Sequence, residues 1–235
     1  MKHRILIGQA TIPGGDRLLK LYKDKDDCSI VISGRGELMS TRKHGSEDAL
    51  GLLPCQLIKQ VDTANVLIGG LGMGFTLAAV LAATGLQSRV VVAELVPEVV
   101  DWNQGPLGAY AGNPLSDART TVYRGDVSDL LLSAEPTYDV IALDVDNGPE
   151  ALSSNGNNWL YSHEGIGCAR ECLNQDGVLA YWSATPDAAF AKRLRACGLQ
   201  VSEKLVFAHG NKGTKHTIWL ATAGTRPLPH KFSRH

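Results

Sequence analysis

Four carboxylates stand where chemistry could be done. Glu94 closes the apolar run 89–93, Asp126 follows the run 119–123 across Gly125, and Asp144 and Asp146 follow the apolar run 138–143. An acid directly after a buried strand must reach the rim of its sheet, because burying an unpaired charge is costly. At the rim, Glu94 can accept hydrogen bonds from ribose hydroxyls, and Asp126 can accept one from the exocyclic amine of adenine. Asp144 is nearest to where a transferred group would sit. Its carboxylate could orient an amine and accept its proton as nitrogen attacks an electrophilic carbon. Each also has a structural use: Asp126 could cap a helix over 127–132, and Asp146 and Asn147 before Gly148-Pro149 could be turn formers.

The element that must position these acids is the stretch from Asn65 to Glu94. Val66 to Ile68 is a short apolar run, the pattern of a strand buried on both faces. Gly69, Gly70, Gly72 and Gly74 follow at once, then a helical stretch from Phe75 to Ala83 that Gly85 can end. Strand, glycine turn, helix, strand and acid form the order of a nucleotide-binding unit. The glycines let backbone N–H groups approach a ligand closely. A glycine-rich turn alone can simply pack a helix on a sheet; the acid after the second strand adds the ligand reading. The spacing fits either a dinucleotide or an adenosyl cofactor.

Residues 1–45 read as a small β-rich appendage, with strands near 5–7, 18–22, 29–32 and 37–39 punctuated by Pro13-Gly14-Gly15 and Ser33-Gly34-Arg35-Gly36. Ser46 is placed to cap a helix reaching about Lys59, with Glu47 and Asp48 suiting its positive end and Pro54 interrupting it. Further strands are predicted at 119–123, 138–143 and 178–183, alternating with helices from Pro97, from His163 and from Pro186. The chain then closes with strands at 199–208 and 216–221 joined by a short turn, which demands an antiparallel hairpin. The predicted fold is α/β: a doubly wound, mostly parallel seven-stranded sheet ending in that hairpin, carried on 46–224, with a basic tail at 225–235. The closing hairpin favours an adenosyl-transfer fold over a dinucleotide-binding one, with the ligand over the carboxyl ends of the strands.

Composition narrows the function classes. The chain has 235 residues, 44 % of them hydrophobic, and a formal net charge of −1. There is no global basic field for nucleic acid, and no apolar run approaches the roughly 20 residues that span a bilayer. A cytoplasmic location follows as the default. Five scattered cysteines argue for free thiols rather than a disulfide framework. Cys168 and Cys172 lie four apart, but no nearby Cys or His pair completes a metal site. After the polar loop 153–158, Trp159, Tyr161 and His163 could wall an acceptor pocket, with aromatic faces against a cationic amine; the alternative for Trp159 and Tyr161 is a core position beneath the loop. His44 lies before the Ser46 helix, where a pocket-mouth role is open to it.

Taken together, 66–76, Glu94, Gly125-Asp126 and the run Tyr138 to Asp144 resemble the spermidine synthase family of the class I S-adenosylmethionine-dependent methyltransferase fold. The resemblance covers about 30–185 and implies S-adenosylmethionine or its decarboxylated form as cofactor. It implies contacts to it from Gly69, Gly70, Gly72, Met73, Gly74, Glu94, Leu95, Gly125, Asp126, Val127 and Asp144. Asp144, Asp146 and Tyr161 are the catalytic candidates, and no metal is implied. The family's glycine turn usually carries an Asp that grips the amine of an aminopropyl donor; here Met73 stands at or beside that place. The loop Asp144-Val145-Asp146-Asn147-Gly148-Pro149 is also shorter and differently charged than the family's. On these grounds methyl transfer to a small amine or similar small acceptor is the first expectation. Aminopropyl transfer from the decarboxylated donor is the alternative, and a non-catalytic binding module is a third. A homodimer built on the N-terminal appendage, with no nucleic-acid or membrane partner, completes the expectations.

Overall fold

The computed structural model describes residues 4–132, 137–144, 159–209 and 212–224. Two sheets organise them. The N-terminal sheet is antiparallel in the order β1-β2-β3-β4, from β1 (Ile5–Thr11), β2 (Leu18–Asp24), β3 (Asp27–Ile32) and β4 (Gly36–Ser40). The larger sheet contains β5 (Asn65–Gly69), β6 (Arg89–Glu94), β7 (Thr120–Arg124), β8 (Tyr138–Leu143), β9 (Leu173–Ser183), β10 (Gln200–His209) and β11 (Lys212–Thr222). Its order is β10-β11-β9-β8-β5-β6-β7. β7, β6, β5, β8 and β9 run parallel, and β11 inserts antiparallel between β9 and β10. The mostly parallel sheet with a closing hairpin is therefore present.

β5 lies inside the sheet, between β8 and β6, and its residues are apolar on both faces. Val66 and Ile68 point into one core and Leu67 into the other, all fully buried. The first core also holds Ala10, Leu19, Leu21 and Ile30, so the N-terminal sheet roofs one face of the larger sheet. The helices are α1 (Gly45–Cys55), α2 (Phe75–Ala83), α3 (Pro97–Gln104), α4 (Val127–Leu132), α5 (His163–Glu171) and α6 (Ala188–Ala196). Among the described residues no helix is long and apolar enough to cross a membrane.

The helix opening near Ser46 differs from its sequence reading in two ways. It stops at Cys55 rather than near Lys59, with Pro54 in its final turn. Ser46 does not cap it: His44 occupies the N-cap, its ring Nδ1 meeting the Asp48 carboxylate at 2.8 Å rather than a backbone N–H, and the Ser46 hydroxyl is engaged elsewhere. Side-chain capping does operate at Ser162, which accepts the Gly165 N–H, and at Asp187, which accepts the Phe190 N–H.

Candidate functional site

The glycine bend after β5 is built by local backbone geometry. Gly70, Gly72 and Gly74 have φ of 91°, 53° and 84°, a region that side chains with a Cβ adopt at a cost. The Asn103 side chain fixes the bend from α3 by donating to the Gly72 carbonyl at 2.8 Å and to Val99 O at 2.9 Å. On the other side Glu94, 8 % exposed, closes it. One carboxylate oxygen accepts the Leu71 N–H at 2.9 Å and the other accepts the Val96 N–H at 2.8 Å. Glu94 also lines a cavity.

That cavity has a volume of about 370 Å³, and its mouth is open. It lies between the N-terminal sheet, α1, the glycine bend and the β9–β11 side of the larger sheet. Gly70, Leu71, Gly72, Met73, Glu94 and Leu95 form one wall. Glu47 and Thr76, from the first turns of α1 and α2, meet Asp144 from the end of β8 at another wall. Apolar residues of the roof, including Leu19, Ile30 and Met39, cover it. Trp182 and His216 face it from β9 and β11, with ring centroids 4.7 Å apart in an edge-on contact.

Asp144 is held by both backbone and side chain. Its N–H donates to the Gly69 carbonyl at 2.8 Å, and the Thr76 hydroxyl lies 3.5 Å from its carboxylate. Glu47 accepts the Ser46 hydroxyl at 2.6 Å. Burial pushes the Glu47 carboxyl above the usual range, and the Ser46 hydrogen bond pulls the other way. Burial also lowers the His216 imidazole below its ordinary value. Two polar atoms of the cavity residues, Ser40 Oγ and Trp182 Nε1, are buried without a hydrogen-bond partner among the described residues.

The structure brings Gly70, Gly72, Met73, Glu94, Leu95 and Asp144 to one cavity. It does not bring all the sequence candidates there. Gly69 and Gly74 support the bend from behind, where a Cβ on Gly69 would come within 2.7 Å of Leu143 and one on Gly74 within 2.9 Å of Asn103. Gly125, Asp126 and Val127 are absent from the cavity walls. Asp126 accepts the Ser128 N–H at 2.9 Å at the start of α4, as a helix cap does. Tyr161 takes the core alternative rather than a pocket wall: it is 2 % exposed, on the opposite face of the sheet, packed against Tyr181 and Phe190. Its large ring fills the second core, which the sequence does not distinguish from a pocket. Asp146 and the loop 153–158 lie outside the described residues. His44 stacks on Phe75 at 4.0 Å, so it backs a cavity residue rather than lining the cavity. Among the described residues no group of three His, Cys, Asp or Glu side chains is placed to hold a metal ion.

Sequence reasoning missed Glu47, Thr76, Trp182 and His216. Two signals were available. Glu47 precedes the buried Leu50, Gly51 and Pro54 by three, four and seven residues, which places it on the inner face of α1. His216 alternates with the core residues Ile218 and Leu220 of β11.

Two solved structures share this architecture. The spermidine synthase from Thermotoga maritima matches with a TM-score of 0.76 at 17% identity, over 95% of this chain and 74% of that one. A spermidine synthase in complex with the transition state analogue AdoDATO matches with a TM-score of 0.74 at 17% identity, over the same shares. No curated protein shows significant sequence similarity. At this identity the structural likeness establishes the fold, and the family rests on the sequence itself. Residues 47–208, more than half of the chain, match the family profile described as spermine/spermidine synthase domain, and the chain belongs to that family.

Proposed function

We propose that this protein transfers an aminopropyl group from decarboxylated S-adenosylmethionine to a small amine. One observation carries the reading: the glycine bend with Glu94, and the carboxylates of Glu47 and Asp144, face the same cavity of about 370 Å³. That volume falls within the range of small-molecule sites, about 300–1,000 Å³. The bend and Glu94 would hold the nucleoside, with backbone N–H groups and ribose-directed carboxylate oxygens. Ser40 and Trp182 offer polar atoms that want partners. Glu47 and Asp144 would hold a cationic acceptor, which two carboxylates attract more strongly than one. The donor supplies a carbon made electrophilic by a positively charged sulfur. The chain's own contribution is positioning: it aligns the amine with that carbon, excludes water beneath the apolar roof, and gives the proton shed in the attack a place on Asp144.

Membership of the spermine/spermidine synthase family supports aminopropyl transfer over the methyl transfer that Met73 suggested. Methyl transfer stands as the second reading because Met73, 4 % exposed, puts a thioether rather than a carboxylate on the donor wall. Calorimetry with both donors, followed by mass analysis of the product, separates the two. A tenfold preference for the decarboxylated donor, about 1.4 kcal/mol, with an amine product heavier by an aminopropyl group supports the proposal. A preference of that size for S-adenosylmethionine, with a methylated product, would reverse it. Binding with no turnover of either donor would leave a binding module. The same reading carries a cytoplasmic homodimer with no nucleic-acid partner, which light scattering and retention on a nucleic-acid column would test.

A further inference from the structure

We propose that Glu47, Ser46 and His216 form a proton relay that takes the proton from the incoming ammonium group and passes it to solvent. The proposal deepens the aminopropyl-transfer reading and rests on it. The Ser46 hydroxyl lies 2.6 Å from Glu47 Oε2 and 2.8 Å from His216 Nδ1. Ser46 is fully buried, while Glu47 and His216 both line the cavity. The three residues come from the start of α1 and from β11, and Ser46 and His216 are 170 positions apart in the sequence.

The chemistry follows from counting hydrogens. A primary amine resembles a lysine side chain, with a pKa of about 10.4, so it arrives protonated at neutral pH and has no lone pair for attack. The Glu47 carboxylate takes one proton from R–NH3+, leaving R–NH2 and a neutral carboxylic acid. A serine hydroxyl has one hydrogen, so the loaded trio has two arrangements. In the first, the Glu47 acid donates to Ser46 and Ser46 donates to the lone pair on His216 Nδ1. In the second, His216 is an imidazolium whose Nδ1–H donates to Ser46, and Ser46 donates to the Glu47 carboxylate. They interconvert by moving two hydrogens along two existing hydrogen bonds, with no heavy atom displaced. Loss of the Nε2 proton to water leaves the Nδ1–H tautomer. Once product has left, a solvent proton taken up at Nε2 runs the two shifts in reverse, and the Glu47 acid gives it up to water in the cavity, which resets the relay. The proton shed later, when nitrogen bonds to carbon and the electron pair of the broken C–S bond leaves with sulfur, goes to Asp144.

The surroundings suit this traffic. Burial raises the Glu47 carboxyl and lowers the His216 imidazole, which draws the two proton affinities together. The charged neighbours of Glu47 on its own helix are Asp48, which raises it further, and His44, which lowers it. Asp144, Glu94, Glu37 and Lys43 face the same cavity from β8, β6, β4 and the turn after it. Lys215, next to His216, lies over the Phe207 ring at 5.2 Å.

The test compares the full chain with its Ser46→Ala, Ser46→Thr and Glu47→Gln variants, using decarboxylated donor and a small diamine. Expected for Ser46→Ala is a fall in kcat of about tenfold or more, with KM for the amine and donor affinity within twofold. Its acidic limb moves to higher pH, because the hydroxyl that lowered the Glu47 carboxyl is gone. Ser46→Thr, which keeps the hydroxyl, restores the rate. Imidazole nitrogen NMR gives a readout independent of turnover. In the wild type His216 titrates in two steps coupled to residue 47, and in Glu47→Gln its midpoint falls and the coupling disappears. If the wild type transfers no aminopropyl group, the functional reading fails, and the NMR still decides whether the trio shares a proton. An active enzyme whose Ser46→Ala variant keeps its rate and pH profile, or a His216 titration indifferent to residue 47, overturns the relay.

Discussion

The carboxylate of Glu94 accepts the backbone N–H of Leu71 at 2.9 Å, locking the acid at the end of β6 onto the glycine bend after β5. The same side chain also accepts the Val96 N–H, so it serves the fold and the cavity together. Glu94→Ala leaves two backbone donors without their acceptor. Each unsatisfied buried donor costs about 1–3 kcal/mol. Denaturant unfolding is expected to show a loss of that order, and calorimetry a donor affinity weaker by about tenfold or more.

Asp144 tests the chemistry separately from binding. Its N–H anchors it to Gly69, and its side chain reaches Thr76 within 3.5 Å. Asp144→Asn keeps the size and the backbone bond but removes the proton acceptor. Steady-state kinetics should show kcat lower by about 10²–10⁴ with donor affinity within twofold, the range for losing a positioned base.

The two ends of the pH scale probe different carboxyls. Glu47 is raised above 4.5 by burial, so the folded state holds its proton more tightly than the unfolded chain does. Its contribution to stability is fully present below about pH 4.5 and is lost as pH rises through the folded value. Glu47→Gln, which cannot ionise, should therefore raise Tm at pH 7–8, with the gain shrinking toward zero below about pH 4.5. Thermal melts across pH check the sign.

Asp117 behaves oppositely. The Arg119 side chain beside it lowers its carboxyl to about 2. Its contribution is present above the ordinary 3.8 and is lost as pH falls through about 2. Arg119 also donates to the carbonyls of Leu81, Thr84 and Gly85, closing the end of α2. Arg119→Met should lower stability by about 2–4 kcal/mol and abolish the Asp117-dependent fall in acid, both visible in urea unfolding at pH 7 and pH 3.

Gly74 sets the start of α2. Its φ of 84° and the 2.9 Å approach of Asn103 Oδ1 to a built Cβ leave no room for a side chain. Gly74→Ala should cost about 1–3 kcal/mol and weaken donor binding by displacing Asn103 from the Gly72 carbonyl. Calorimetry on the folded fraction checks the second effect.

Much of this protein was legible in the chain itself. The apolar run of β5, the spacing of Gly70, Gly72 and Gly74, and Glu94 at the end of β6 follow from strand burial and backbone sterics, which act over a few residues. The turn between β10 and β11 required an antiparallel hairpin for the same local reason. Tertiary structure decided the rest. It buried Tyr161 in the aromatic core with Phe190, because a large ring near a loop fits a core as well as a pocket. It turned Asp126 toward the Ser128 N–H. It took Ser46 from the helix cap it resembles and joined it to His216 across 170 residues. Contacts of that range come from how sheets and helices pack, and side-chain type fixes only what a residue can do once it arrives there.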